Sequence, residues 1–320
     1  MTPPALPASP PASPSGPRAN QTPLPISAVV ITRDAARHLD AVLVAADFCV
    51  ERLVVDSGST DETIAIALAA GARVEHQPFL GYGPQKCRAV ELASYDWILA
   101  LDADEVLDAE ARRAILALDW SDPSACWSLR RRTFIGAREV CHGPWADDRV
   151  LRLFNRRTAS FKPLPVHEEV ASTRPPALLA GSLLHFSYAS CSDVLTRAVR
   201  YAPLKAGIMR AKGQRPGGFT MPLRGLAAFV KSYVFRAGWR DGALGFVVAL
   251  ARVIDSTLPR AMLLLGEPAP GAERSAPGAE RSAPGAEPAA QEPTDRSVAS
   301  IRSMSAGSGA EKVNRSREPG

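Results

Sequence analysis

Aromatic residues are scarce, 6% of the 320-residue chain, and none falls in residues 1–25 or 267–320. Those two stretches instead hold nine and seven of the 28 prolines. A segment without aromatics and rich in Pro, Ala, Ser and Gly cannot bury enough apolar surface to offset its chain entropy. Residues 1–25 therefore read as a disordered Pro-rich arm and 267–320 as a disordered tail, leaving 26–266 to fold. The tail contains APGAERS twice and then APGAE; one proline and one glycine per period exclude a helix and predict a flexible segment. Cysteines are few and odd in number, five without a CxxC pair, which favours reduced thiols in a cytosolic setting over a disulfide frame or a zinc site. The first 25 residues show no apolar core of a secretory signal and no basic residue before Arg18. Long hydrophobic runs are missing too. The stretch 241–251 meets Arg252 and Asp255, whereas a bilayer span needs roughly 20 apolar residues. The expectation is a protein that is soluble, or lies on a membrane without crossing it. With Lys+Arg 38 against Asp+Glu 33, net +5, the charge is too balanced for a histone-like protein.

Between the tails, strand-like and helix-like segments alternate. Ile26–Thr32 reads as a strand, followed by a helix to about Ala46; Arg52–Asp56 is a second strand. Ser59-Thr-Asp-Glu62 has the form of a capping box, opening a helix that runs to Gly71. Arg73–His76 predicts a third strand, Pro84–Ala93 a helix with proline at its start, and Trp97–Leu101 a fourth strand ending in Asp102-Ala-Asp-Glu105. Four such alternations imply right-handed βαβ units and a mostly parallel sheet. Ala125–Ile135 and Arg149–Asn155 look like strands of antiparallel character, and Asp193 to about Leu265 is helical.

Ligands of open parallel sheets bind beyond the carboxyl ends of the strands. Asp34, Asp56 and the Asp102/Asp104 pair fall at such ends. Asp56 either caps a turn or, beside a helix N-terminus, helps bind phosphate or ribose oxygens. Asp102 and Asp104, two residues apart, suit one hard divalent cation that neutralises a substrate diphosphate; an isolated pair of this kind is more often a solvated loop, but here it closes a series begun by Asp56.

Ser27-Ala-Val-Val-Ile-Thr-Arg-Asp34, Leu53-Val-Val-Asp-Ser-Gly-Ser-Thr-Asp-Glu-Thr63 and Leu99-Ala-Leu-Asp-Ala-Asp-Glu105 together resemble the inverting family 2 glycosyltransferases. The resemblance covers about residues 26–265 and extends to His167-Glu168 and Arg236-Ala-Gly-Trp-Arg-Asp-Gly242. The last of these points to the lipopolysaccharide inner-core β-1,4-glucosyltransferases. It implies a GT-A (Rossmann-like) α/β fold over residues 26–192 with a basic helical subdomain over 193–266, a UDP-sugar donor, and Mg²⁺ or Mn²⁺. By position, Thr32 and Asp56 would contact the nucleoside, Asp56 at the uracil edge. Asp102 would meet the ribose or the metal, Asp104 the metal, and Lys86 and Arg88 the diphosphate. Two departures stand out: Asp34-Ala35 replaces the family's usual Asn-Glu, and Pro84 stands where a basic residue is common.

Inversion at an anomeric carbon needs one general base on the acceptor side. Asp147, Asp148, Glu168 and Glu169 are the candidates; Glu168 is preferred because His167-Glu168 matches the subgroup's pair, with Asp148 the alternative. His185 reads as a packing or hydrogen-bonding histidine. Residues 194–266 carry twelve basic residues against Asp241 and Asp255, interleaved with aromatics. That composition suits an anionic membrane surface and the phosphates of a lipid-linked oligosaccharide acceptor, or else an ordinary basic subdomain. The competing readings are a polyprenyl-phosphate sugar transferase, a scaffold without catalysis, and a nucleic-acid-binding protein. No helix-turn-helix, zinc or RNP-like pattern supports the last, so no nucleic-acid partner is expected. The expected location is cytoplasmic, peripheral on the inner face of the cytoplasmic membrane.

Overall fold

The computed structural model describes residues 22–163 and 169–267. Most of the expected arm, the tail from residue 268, and His167-Glu168 lie outside the described residues. The described part falls in a compact unit that runs to Arg274. It opens with β1 (Leu24–Thr32), α1 (Ala36–Ala45), β2 (Cys49–Asp56), α2 (Thr63–Ala69), β3 (Arg73–His76), α3 (Tyr82–Leu92) and β4 (Trp97–Asp102). Then follow β5 (Glu105–Leu107), α4 (Ala109–Leu116), β6 (Cys126–Ile135), β7 (Arg138–Glu139), β8 (Asp148–Asn155), β9 (Ala159–Phe161), β10 (Val170–Ser172) and β11 (Ala177–Tyr188). Two long helices and a shorter one between them complete it: α5 (Cys191–Ala211), α6 (Met221–Val230) and α7 (Ala243–Leu264).

The strands β3-β2-β1-β4 pair in parallel in that order, the Rossmann-like half that the alternation predicts. Beyond β4 the sheet changes character: β8 joins antiparallel, then β6, then β11 parallel to β6, and β5 antiparallel at the edge. Both faces of the parallel half are covered, and β1 shows why. Ile26, Ala28 and Val30 pack with Leu39, Leu43, Ala67 and Ile115, whereas Val29 faces the other way, towards Ala89 and Val90 of α3. Alternation of side chains across a strand buried on both faces produces this near-continuous apolar run.

The helix α2 ends as expected but begins otherwise. Gly71, at φ +71°, closes it: the Ala72 amide donates to the Ala67 carbonyl and the Gly71 amide to that of Leu68, the paired bonds of a left-handed helix end. The capping box does not form. The helix starts at Thr63 with no side-chain cap, because the Ser59 hydroxyl is drawn to the Asp56 carboxylate instead.

In the helical part, α5 and α7 pack on one another with Val194, Ala198, Val248 and Ala251 in the seam. Gly245 lies against the backbone of Gly238, where an added Cβ would stand 1.8 Å from the Gly238 oxygen. That close approach accounts for Gly245; at Gly238 an added Cβ would stand 2.8 Å from the Ser232 oxygen.

Candidate functional site

Register brings the nucleotide-side candidates together. Thr32 pairs with Asp56 across β1–β2, and Ile31 with Asp102 across β1–β4, so three strand ends present their last residues side by side. Thr32 donates its hydroxyl to Asp56 at 3.1 Å. Asp56 also receives the amides of Gly58 at 2.8 Å and Ser59 at 2.9 Å, and the Ser59 hydroxyl. Burial raises the carboxyl's proton affinity, but these donors outweigh it and hold Asp56 below the usual carboxylate range. The turn-capping role is thus realised, and a uracil edge at Asp56 would meet a carboxylate whose acceptor positions are already filled. The neighbouring loop is laced to the same turn. Asp34, at φ +50°, accepts from the Thr60 amide at 2.8 Å, and the Ser59 hydroxyl accepts from the Asp34 amide at 2.9 Å. The left-handed backbone there is one that Asp and Asn tolerate best among non-glycine residues.

The Asp102/Asp104 pair is divided in its surroundings. Asp102 is clamped by two nearly buried cations, Lys86 at 2.6 Å on one oxygen and Arg152 at 2.6 Å on the other. Burial opposes its charge, yet Arg152 and Lys86 prevail and keep the carboxyl far below its ordinary range. Arg152 also reaches the fully buried Glu105 at 2.6 Å, and Arg131 bridges Glu105 at 3.2 Å to Asp148 at 2.8 Å. This lattice joins β4, β5, β6 and β8. We expect Arg152→Met to destabilise the protein by about 3–5 kcal/mol in urea unfolding, because two carboxylates would lose their shared cation. A second change, Glu105→Gln, should recover part of that loss.

Asp104 has no such clamp. Burial pushes its carboxyl up, His185 pulls it down, and Asp102 and Glu105 push it up again. Its neighbours are the Ser187 hydroxyl at 3.2 Å and the His185 Nε2 at 3.7 Å, too far for a hydrogen bond. That nitrogen bonds Ser187 at 2.6 Å, while His185 Nδ1 is buried and without a hydrogen-bond partner among the described residues. The hydrogen-bonding histidine expected from the sequence is present, but β11–β5 pairing sets it opposite Glu105, a neighbourhood that spacing along the chain does not reveal. An under-compensated carboxylate is the kind of oxygen donor that suits Mg²⁺ or Mn²⁺, and the His185 imidazole stands beside it as a softer neighbour. Among the described residues no three His, Cys, Asp or Glu form a full cage, so further donors would come from substrate oxygens or water, as Mg²⁺ prefers.

The remaining candidates are placed unequally. Lys86 points inward, whereas Arg88, two residues on along α3, is exposed and pairs with Glu91 at 3.1 Å; the structure does not bring it to the cluster. Asp147 is exposed and pairs with Arg149 at 3.0 Å, and Glu169 with Lys162 at 2.8 Å. Glu168 lies outside the described residues. Sequence reasoning missed Arg152 and Arg131, whose signal was charge at interior positions of β8 and β6. The Arg236–Gly242 motif acts as a tie: Asp241 accepts from the His142 amide at 2.8 Å and meets its Nδ1 at 2.7 Å, and the Gly143 amide donates to the Arg236 carbonyl at 2.9 Å. It pins the segment before β8 to the helical part.

Residues 35–174 match the profile of glycosyl transferase family 2. A lipopolysaccharide core biosynthesis glycosyltransferase of Rhizobium meliloti, LpsC, is 29% identical over 75% of this chain and 92% of its own length. An uncharacterised glycosyltransferase of Rickettsia felis is 30% identical over 75% of this chain and 90% of its own. Among solved structures, glucosyl-3-phosphoglycerate synthase of Mycobacterium tuberculosis, in complex with Mn²⁺, UDP and glucosyl-3-phosphoglycerate, matches 35% of this chain and 44% of that one, at 22% identity and a TM-score of 0.28. A likeness that slight says nothing of this chain's ligands.

Proposed function

The chain belongs to glycosyl transferase family 2, and on that footing we propose that it transfers a hexose, glucose, with inversion from a UDP-sugar to a lipid-linked glycan, the lipopolysaccharide core. The observation that supports this reading best is the gathering of Thr32, Asp56, Asp102 and Asp104 at adjoining strand ends, with Lys86 and Arg152 beneath them. Similarity to a relative named for lipopolysaccharide core biosynthesis supports the acceptor class.

In this reading Thr32 and the Asp56 turn hold the nucleoside. Lys86 and Arg152 fix Asp102 in one orientation for the ribose side of the donor. Asp104, with His185 beside it, would hold Mg²⁺ or Mn²⁺, which when bound offsets the charge of the diphosphate. Glu168 takes the proton of the acceptor hydroxyl; that oxygen forms its bond to the anomeric carbon as the bond to the diphosphate breaks and the electron pair leaves with UDP. Among the described residues no helix is long and apolar enough to cross a membrane. The basic helical part docks on the inner face of the cytoplasmic membrane, where anionic headgroups attract it.

A screen of UDP-sugars for UDP release, with and without core-oligosaccharide acceptors, tests the function. UDP-glucose should be consumed only with acceptor and with Mg²⁺ or Mn²⁺ present. Turnover of no UDP-sugar under any of these conditions would refute the donor class.

A further inference from the structure

The helix α6 is dressed the wrong way round for contact with water. Arg224 is its only charged residue, yet Gly225 is its only buried one. Gly225 makes the contact with α7, where an added Cβ would lie 3.1 Å from Thr257. The helix continues without a break through a π turn over Lys231–Phe235, in which Ser232 is buried. Gly225, Phe229 and Ser232 follow the four- and three-residue spacing of one face, and Phe229 packs on Phe246 of α7. Leu223, Ala227, Val230 and Val234 follow the same spacing on the opposite face. Leu223 is 68% and Leu226 61% exposed, and just beyond them Phe235 is 80% exposed. Arg224 and Lys231 sit together on one flank of that stripe, and Arg236, Arg240 and Trp239 are exposed in the next turn.

Beside α6, an apolar groove of about 600 Å³ opens between it and α7, lined by Met221, Leu226, Val253, Ile254 and Leu258 among others. Leu223, Leu226, Val234 and Phe235 are all exposed beside this groove, and apolar side chains grouped in this way, with polar residues at their rim, mark an interaction surface. The charge around it selects the occupant. Nearby acids are already engaged, Asp241 by His142 and Asp255 by Lys205 and Arg252. What remains is an apolar ridge with cations and a tryptophan at its border, the make-up of a helix that lies in a bilayer interface.

We infer that α6 and the turn after it insert their outer face into the headgroup–acyl boundary of an anionic phospholipid bilayer. The anchor is thus a hydrophobic ridge, with the basic residues as guides. This rests on the membrane docking proposed above and specifies its mode.

The test floats the full-length protein with vesicles of phosphatidylcholine alone or mixed with phosphatidylglycerol, at low and at high salt. Wild type should bind the mixed vesicles and keep a substantial bound fraction at high salt. Leu223→Glu/Val234→Glu, both at exposed positions, should weaken partitioning by about 10-fold or more while thermal unfolding and UDP release stay as in wild type. In Phe235→Trp, bromine-labelled acyl chains should quench the added fluorescence relative to wild type. Binding that salt strips completely and that the double variant leaves unchanged overturns the ridge but keeps electrostatic docking. Binding to neither vesicle overturns both. A lipid-free dimer that the double variant dissolves, without vesicle binding, assigns the ridge to a second copy of the chain and also overturns the inference. UDP release is read separately, so none of these outcomes depends on the proposed glycosyl transfer.

Discussion

Asp104→Ala should abolish metal-dependent UDP binding while leaving the fold intact. Asp104 is the carboxylate of the pair that no fixed cation neutralises: Asp102 sits between Lys86 and Arg152, whereas Asp104 faces only Ser187 and His185. Removing it leaves the clamp around Asp102 in place, so thermal unfolding should change little. UDP affinity in Mn²⁺, by titration calorimetry, should fall to the level of wild type in chelator, because a cation left with an imidazole as its protein donor would no longer hold the diphosphate. The Mn²⁺ resonance signal gives a second readout, since free Mn²⁺ should remain in solution with the variant and UDP. Wild-type UDP binding in chelator, or unchanged Mn²⁺ uptake by Asp104→Ala, would remove the metal from the account. His185→Ala should show a smaller loss of the same kind.

What could be read along the chain, and what could not, follows from the range of the forces involved. The third strand, Arg73–His76, is found where it was expected, and Gly71 ends its helix as expected, because both depend on local backbone preference. The Asp56 and Asp102 strand ends were legible because a βαβ series places strand ends on one side of a sheet. The cations that give Asp102 its character were not. Arg152 arrives from β8, fifty residues on, and only antiparallel pairing of β8 with β4 brings it there. His185 reaches Asp104 by the register of β11 with β5, which no spacing encodes. Ser59 shows local reading failing at short range: the pattern fitted a capping box, but a buried carboxylate three residues earlier competed for the hydroxyl. The ridge on α6 was half legible, since composition showed basic and aromatic residues while exposure alone tells which apolar residues remain uncovered.

Glu168→Gln should lower kcat by about 10²–10⁴-fold, the usual contribution of a placed general base, with UDP-sugar affinity close to wild type. Donor binding and proton transfer fall to different residues. In the proposed reading Thr32, the Asp56 turn, Asp102 and Asp104 serve the donor at the strand ends, apart from the acceptor side. The described residues on either side of the segment that holds Glu168 meet: the Lys162 amide donates to the Glu169 carbonyl at 2.9 Å. That place adjoins the donor side: Phe161 lies 5.6 Å from the Lys86 ammonium, and its carbonyl accepts from Cys87. The described competitors are already committed, Asp148 to the fork of Arg131, Asp147 to Arg149 and Glu169 to Lys162. Glutamine keeps the shape of Glu168 and removes its basicity, so binding should survive and proton transfer should not. Asp148→Asn is the control; it loosens the tie between β6 and β8 and should cost stability more than turnover. A Glu168→Gln enzyme near wild-type kcat, or a larger kcat defect in Asp148→Asn with donor binding intact, would move the base to Asp148.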